Sequence, residues 1–561
     1  MVLIASFGYL VYRLIDLQYF SSEKYSSRAE RQRHAIIDQK SQRGLITDRK
    51  GTILAASNQT RILFAEPRVI ADPKDVSNRL AELIGYPSHE ICRKIVDSKN
   101  PGYVKILTGL TDEQYEAVKE NKIFGIGVHT AWERQYPMGQ ADAHVVGFVS
   151  RYEQAGLAGV ELKFDSQLKG TGGRDVLVVD SKRRPIGFID SDESGGDGSD
   201  GSGLILTLDS TIQQLTRKAV ADQIESFNAE AGVAVVMDPW TGEILALVSL
   251  PDFKPEEFSK MPADVLRNRA VTDTFEPGSI FKPIVTAIAL DAGAIDYDDV
   301  FFCEHGNYHG KGFGSIGEWG SHSYGDMSVK DILVHSSNVG MAKIGQKMGK
   351  KKLYDGIKLF GFGQKTGIDI PGEDSGIVRD LNKWDGYSVT RVPFGHEVTV
   401  TVIQIARAYC ILANGGSMVH PHLVKAIYQP DGTITRYPQP SMLAGRIIKP
   451  QVADWIVKEA LVGVVKEGTG KKAALDNRQV FGKTGTADIA GTGGYGNTYH
   501  VASFAGGAPV ESPEVIVVVA IRNPDKSLGK GYTGGSVAAP VVRNILEKTL
   551  TYMEQGQLAR R

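Results

Sequence analysis

The sequence predicts a multidomain α/β (α+β) protein in which an antiparallel sheet lies between helices. Three observations support this prediction: the length of 561 residues, a Gly/Ser/Asp-rich stretch at 191–203, and an ordered succession of strand and helix patterns after it. A chain of this length exceeds what one hydrophobic core supports, so two or three domains are expected. The stretch has the composition of a flexible connector, and we place a domain boundary between residues 203 and 204.

The composition is that of an ordinary globular protein, with 42% hydrophobic residues, 23% charged residues and a net charge of -1. Because there is no basic excess, nothing favours nucleic acid as a partner. The three cysteines, Cys92, Cys303 and Cys410, are too few and too far apart to form a disulfide framework. We predict no cofactor.

Residues 1–20 are predicted to be a partial transmembrane anchor. The first twelve residues are uncharged and mostly apolar, but twelve helical residues span roughly 18 Å, short of the ~30 Å hydrocarbon core. We expect a cytoplasmic segment and the rest of the helix to lie outside this sequence. The absence of a basic n-region and of a small-residue cleavage site argues against a signal peptide. An amphipathic helix that packs on protein is the alternative.

Residues 21–203 are expected to form a non-catalytic domain of short strands and helices. Residues 43–54 predict two strands joined by a turn at Asp48 to Gly51. Residues 204–561 are expected to form a second domain. It has a strand at 204–208, a helix at 210–227 capped by Ser210, strands at 231–237 and 243–249, a helical middle at 279–413, strands at 500–509 and 514–522, and a closing helix at 536–552. Helices on either side of an antiparallel sheet predict a three-layer domain.

Three short strings in one order suggest the chemistry: Ser279-Ile280-Phe281-Lys282, Ser336-Ser337-Asn338 and Lys483-Thr484-Gly485-Thr486. Each is weak alone, because serine-x-x-lysine also occurs at Ser21, Ser166 and Ser527, and Lys-Thr-Gly also occurs at residue 365. Context separates the chosen set. Ser279 follows Pro277-Gly278 and opens an apolar run that predicts a buried helix, which would place serine and lysine on one face.

Together the strings supply the parts of a serine acyl-transfer enzyme acting on D-alanyl peptides and β-lactams. Ser279 is the predicted nucleophile, and Lys282, one turn away, can take its proton if burial or a neighbouring charge partly neutralises the ammonium. Ser336 is expected to relay a proton and Asn338 to hold a substrate carbonyl.

Residues 479–487 predict a strand, so Lys483 and Gly485 share one face and Thr484 and Thr486 the other. We expect Lys483 and a threonine hydroxyl to bind the terminal carboxylate, and Gly485 to let the substrate lie against the backbone. The backbone N–H groups of Ser279 and Thr486 are the expected oxyanion hole.

These strings resemble those of class B penicillin-binding proteins. The resemblance rests on Phe275-Glu276-Pro277-Gly278-Ser279, on the serine-asparagine and lysine-threonine-glycine strings, and on comparable strings at 43–49, 143–147, 156–161, 366–373 and 534–540. It extends over residues 13–550, and the Phe-Glu-Pro-Gly-Ser opening is closer to the division-specific FtsI type than to the elongation type. The sequence departs from the family at Gly395-His396-Glu397, where Gly-x-Gly is usual.

The resemblance implies an N-terminal membrane-anchor stub, an elongated pedestal or dimerisation-like domain and a C-terminal serine β-lactamase-like transpeptidase domain. It implies a peptidoglycan D,D-transpeptidase in which Ser279 attacks stem peptides ending in D-Ala-D-Ala and binds β-lactams covalently. It further implies a single pass through the cytoplasmic membrane with an extracytoplasmic catalytic domain, and septal synthesis with a SEDS-type glycosyltransferase and other division proteins.

Several alternatives stay open: an elongation-type transpeptidase, a D,D-carboxypeptidase or β-lactamase, a penicillin sensor and a structural scaffold. Against hydrolysis, no Glu-x-x-Leu-Asn string stands between Asn338 and Lys483. A zinc site at Cys303, His305, His309 and His322 is disfavoured because the spacing contains no paired ligand units.

Overall fold

A five-stranded antiparallel sheet forms the centre of the C-terminal half. The computed structural model describes residues 2–25, 34–39, 41–150, 154–179, 185–188, 199–437, 445–488 and 500–558. In it the strands lie in the order Ile244–Leu250, Ala231–Met237, Val515–Arg522, His500–Ala508 and Phe481–Asp488. As predicted, the strands come from both ends of the domain.

Both faces of this sheet are buried, because its strands are nearly continuous apolar runs. Val233 and Val235 point into a core shared with the helices Lys282–Asp291 and Val402–Ala413. Ala234 and Val236 point into the opposite core, against the helices Ser210–Ser226 and Gly534–Leu558. The predicted three-layer α/β architecture is therefore confirmed.

The predicted N-cap of the helix Ser210–Ser226 is wrong by one residue. The Asp209 side chain accepts hydrogen bonds from the amides of Thr211 and Ile212 and is the cap. Ser210 instead donates its amide and hydroxyl to the carboxylate of Asp48. The same carboxylate accepts from the amides of Lys50 and Thr52, which closes the turn predicted at residues 48–51.

The predicted helical middle contains strands that the sequence pattern missed. The helices of this middle are Lys282–Asp291, Val329–Val334, Asn338–Met348, Lys350–Leu359, Gly386–Arg391 and Val402–Ala413. The helices Pro450–Trp455 and Val462–Lys466 follow before the last three strands of the central sheet. The missed strands are the pair Val300–Phe302 and Asp326–Ser328, the hairpin Asn307–Gly310 with Gly314–Gly317, and the short pair Ile377–Val378 and Val398–Thr399. Glycines and exposed polar residues in the hairpin leave little apolar alternation to recognise.

The N-terminal part is built on the long strand Ile53–Ala65, which pairs with Ile46–Thr47, Val104–Thr108 and Ile126–Gln135. The helices Pro73–Ile84, Ser88–Val96 and Asp112–Asn121 cover one end in a separate small core. Further elements are His34–Gln39, Ala143–Val146, Gly159–Lys163, Asp165–Leu168, Gly173–Val179 and Pro185–Phe188.

The two halves of the chain share one sheet. The strand Gly203–Leu206 pairs in parallel with Ile46–Thr47 and antiparallel with Val424–Tyr428, which also pairs with Ile434–Arg436. Of the stretch 191–203 that was predicted to be a connector, residues 191–198 lie outside the described residues.

The N-terminal apolar segment forms the helix Val2–Ile15, with most of its large apolar side chains exposed. Within the described part of the chain, none of the helices combines the length and the apolar character that a membrane crossing requires.

Candidate active site

Ser279 lies in the 3-10 turn Gly278–Phe281, directly before the helix Lys282–Asp291, which we call the nucleophile helix. The side chains of this helix are almost all buried, so the turn is fixed against the core while Ser279 faces a cavity. Gly278 has a φ of 55°, a left-handed conformation that glycine adopts without cost.

The second string forms the link between two helices. Ser336 follows the helix Val329–Val334, and Asn338 begins the helix Asn338–Met348, which we call the asparagine helix. Ser336 has a φ of 63°, a costly backbone conformation for serine of the kind that clusters at functional sites.

The structure brings Ser279, Lys282, Ser336 and Asn338 into one hydrogen-bonded group. The Lys282 ammonium donates to the Ser336 carbonyl at 2.6 Å, to Ser336 Oγ at 3.1 Å and to Asn338 Oδ1 at 2.8 Å. Ser336 Oγ in turn donates to Ser279 Oγ at 3.0 Å. The connection between Lys282 and the nucleophile therefore runs through the hydroxyl of Ser336.

Burial controls the ionisation of both site lysines. It lowers the pKa of Lys282 to about 7, although the negative charge of Glu318 acts in the opposite direction. Burial, together with the positive charge of Lys282, also lowers the pKa of Lys483 well below its ordinary value. Lys282 can thus be largely neutral at pH values where an exposed lysine is fully charged.

The third string lies on the strand Phe481–Asp488 at the edge of the central sheet. Thr484 Oγ1 lies 2.6 Å from Thr469 Oγ1, and Thr486 Oγ1 accepts from the amide of Gly534 at 3.2 Å. On the other face, a Cβ at Gly485 would lie 2.4 Å from Ser503 Oγ and 3.0 Å from Ile280 Cγ2. Glycine at this position lets the strand pack against the turn that carries Ser279.

One cavity of about 560 Å³ is lined by residues from all three strings. Of the predicted residues, Ser279, Ser336, Asn338, Thr484 and Thr486 line it. Lys483 is fully buried, and its ammonium donates to the carbonyl of Thr484 at 3.4 Å.

Sequence reasoning missed several residues of the site. Glu318, at the end of the hairpin, hydrogen-bonds to three groups of the second string and the asparagine helix. Thr469 contacts Thr484, and Trp319, His322, Tyr324 and His335 also line the cavity. None of these residues stands in a spacing that marks it in the sequence.

The unusual string at 395–397 supports the turn of the nucleophile from the other side. The amide of Glu397 donates to Glu276 Oε1 at 3.0 Å, and His396 Nδ1 lies 3.6 Å from Glu276 Oε2. The amide of Gly278 donates to the carbonyl of Gly395 at 3.2 Å. His396 also lines the cavity, so this departure changes the cavity wall.

The competing strings have local partners of their own. Ser166 and Ser527 donate their hydroxyls to Gln167 and Asp525. At the second Lys-Thr-Gly string, the Glu373 carboxylate accepts from the amide and hydroxyl of Thr366, which makes a local loop. Cys303, a member of the disfavoured zinc set, accepts from Ser337 Oγ at 3.6 Å. Among the described residues, no cluster of three or more potential metal ligands occurs.

Comparison with known proteins identifies the family. Residues 232–547 match the penicillin-binding protein transpeptidase domain, and residues 38–202 match the penicillin-binding protein dimerisation domain. The chain belongs to the penicillin-binding proteins. The expected resemblance to class B members, which are peptidoglycan D,D-transpeptidases, is confirmed.

Individual relatives are similar over most of their length. Stage V sporulation protein D of Bacillus subtilis is 32% identical over 97% of this chain and 84% of its own length. Peptidoglycan D,D-transpeptidase FtsI of Escherichia coli is 29% identical over 98% of this chain and 90% of its own. The crystal structure of penicillin-binding protein 3 from Mycobacterium tuberculosis, complexed with aztreonam, superposes with a TM-score of 0.71 at 26% identity, over 92% of this chain and 97% of that one.

Proposed function

We propose that this penicillin-binding protein cross-links stem peptides through an acyl-enzyme on Ser279 and acts in septal wall synthesis. The hydrogen-bonded route from Lys282 through Ser336 to Ser279 carries the proposal, because it joins a lysine whose pKa is about 7 to a serine hydroxyl. A base with a pKa near the working pH is the most effective proton acceptor.

In the acylation step, Ser279 Oγ attacks the carbonyl of the penultimate D-alanine. Its proton passes to Ser336 Oγ while the proton of Ser336 passes to neutral Lys282, which reverses the donor directions of the resting site. As the tetrahedral intermediate collapses, the bond to the terminal D-alanine breaks and the proton returns along the same route to the leaving amine.

The strand Phe481–Asp488 is proposed to bind the terminal carboxylate. The hydroxyls of Thr484 and Thr486 line the cavity, and Lys483 lies behind them on the same strand. A bound carboxylate favours the charged form of Lys483, and that charge disfavours protonation of Lys282. Substrate binding would thereby help to keep the base neutral. The amides of Ser279 and Thr486 are proposed as the oxyanion hole.

The acyl-enzyme is proposed to be captured by an amine of a neighbouring stem peptide. Water would be a poor acceptor, because the sequence has no Glu-x-x-Leu-Asn string to activate it. We further propose domains at 1–20, 21–203 and 204–561, a location in the cytoplasmic membrane with the catalytic domain outside, and a SEDS-type glycosyltransferase as partner. The exposed apolar side chains of Val2–Ile15 support membrane attachment.

The chemistry is tested by labelling the protein with a fluorescent penicillin and mapping the acylated peptide by mass spectrometry. The β-lactam complex of the Mycobacterium tuberculosis relative supports this choice of probe. We expect the adduct on Ser279 and none in Ser279→Ala, which should fold normally because a half-buried hydroxyl that faces the cleft contributes little packing. Label on Ser21, Ser166 or Ser527 would contradict the assignment.

Transfer is separated from hydrolysis with a thioester substrate analogue. Adding a D-amino acid should divert the product from acid to amide, and the penicilloyl adduct should last for many minutes. Rapid penicillin turnover that is insensitive to the added amine would favour a carboxypeptidase or β-lactamase.

The septal role is supported by the relative named FtsI. It is tested by the position of a fluorescent fusion in dividing cells and by the shape of cells depleted of the protein. A fusion confined to the division site and filamentous growth are expected. A lateral-wall distribution with rounded cells would favour the elongation type.

A further inference from the structure

Glu318 lies where the hairpin Asn307–Gly310 with Gly314–Gly317 meets the asparagine helix. One carboxylate oxygen accepts from Ser337 Oγ and from the Val339 amide at 3.1 Å. The other accepts from the Asn338 amide at 2.7 Å. All three donors belong to the second string or to the first turn of the helix that follows it.

The same hairpin holds the side chain of Asn338. Asn338 Nδ2 donates to the Gly317 carbonyl at 3.1 Å, so the amide group is oriented with Oδ1 toward Lys282. Glu318 binds the main chain of Asn338, and Gly317, the last residue of the hairpin strand, binds its side chain. The end of one strand therefore fixes Asn338, which contacts the proposed base Lys282.

Glu318 also acts on Lys282 through its charge. Among the described residues, the charged groups coupled to Lys282 are Lys483 on the edge strand and Glu318 on the hairpin. The positive charge of Lys282 lowers the pKa of Lys483, whereas the negative charge of Glu318 raises the pKa of Lys282. Besides Lys282, the titratable groups of the described residues on which Glu318 acts are Tyr324 and Cys303, whose pKa values are raised by burial and, to a smaller extent, by the charge of Glu318.

We propose that Glu318 is a positioning residue for acyl transfer: it aligns Asn338 and Ser336 with Lys282, and its negative charge favours the charged form of Lys282. This inference rests on the proposed function. It assigns one carboxylate two effects that can be measured separately, the maximal rate of acylation and the midpoint of its pH dependence.

The experiment measures the second-order rate constant for acylation by fluorescent penicillin between pH 5.5 and 9. Glu318→Gln keeps the shape of the side chain and one accepting oxygen but removes its charge. Its acid limb should therefore move to lower pH by on the order of one unit. Glu318→Ala removes every one of these hydrogen bonds, and its plateau should fall by roughly tenfold to a hundredfold because the reacting groups are misaligned.

Glu304→Gln is the matched control. Glu304 forms an ion pair at 2.6 Å with Lys343 of the asparagine helix, and its bonds are not to the second string. This variant should keep both the wild-type midpoint and the wild-type plateau. Thermal unfolding of each variant checks that it is folded, and Glu318→Gln decides the outcome if Glu318→Ala does not fold.

A Glu318→Gln profile with the wild-type midpoint overturns the proposal whatever its plateau, because a purely structural role changes the plateau alone. A lowered midpoint that is absent from Glu304→Gln supports it. If the wild-type protein is not acylated at Ser279, the proposed function itself has failed, and that result is distinguishable from either of these.

Discussion

The pH dependence of acylation tests whether buried Lys282 is the base. Its pKa is about 7, against 10.5 for an ordinary lysine. At pH 7 about half of Lys282 is therefore neutral, roughly 10³ times the neutral fraction of an exposed lysine. Between pH 6 and pH 8 the neutral fraction rises about tenfold.

The assay is the rate of Ser279 labelling by a fluorescent penicillin, measured at fixed ionic strength across this range. We expect the rate constant to rise about tenfold from pH 6 to pH 8 with a midpoint near 7. Lys282→Arg should be nearly inactive at every pH, because the guanidinium remains charged and cannot accept the proton.

Two results would refute this reasoning. A rate that is flat from pH 6 to pH 8 would mean that no group titrating near 7 controls attack by Ser279. A Lys282→Arg variant that retains the wild-type rate would show that the proton leaves by another route. Thermal unfolding of the variant supplies the control, since Lys282 is completely buried and arginine is larger.

Three further predictions concern charge, packing and stability. Lys483→Arg keeps a positive charge behind Thr484 and should lower the acylation rate less than Lys282→Arg does; equal losses would contradict their separate roles. Gly485→Ala should lower the acylation rate at least tenfold, because the new Cβ would lie 3.0 Å from Ile280 Cγ2 beside the nucleophile. Gly445→Ala is the control and should leave the rate unchanged, because a Cβ there would have nothing within 4 Å. Asp142→Asn should raise the melting temperature at pH 7.5, with a gain that shrinks toward pH 5. Burial raises the pKa of Asp142 to about 8, and neither carboxyl oxygen bonds to another described residue. The folded protein thus holds a proton that the unfolded chain releases near pH 4, and stability is lost as the pH rises to 8, by on the order of 1 kcal/mol per pH unit. A pH-independent gain would be evidence against this linkage.

Much of the fold could be predicted from the sequence because its signals are local. The buried strands at 231–237 and 515–522 are apolar runs, and the turn at 48–51 has its own sequence pattern. The hairpin at 307–317 was missed because glycines interrupt its alternation. The cap at Asp209 was misplaced because Ser210 bonds to Asp48, which is 162 residues away in the sequence.

The sequence by itself determined the chemical groups, since serine, lysine and asparagine at these spacings restrict the reactions that the chain can perform. It also placed Thr484 and Thr486 on one face of a strand, because alternation is a property of the strand alone. Only the tertiary structure decided how these groups are connected. The route through Ser336, the pKa of Lys282, the burial of Lys483 and the contacts of Glu318 all depend on residues from separate elements. Hydrogen bonding and desolvation act over a few ångströms in space, and no local pattern in the sequence records which distant residues come that close.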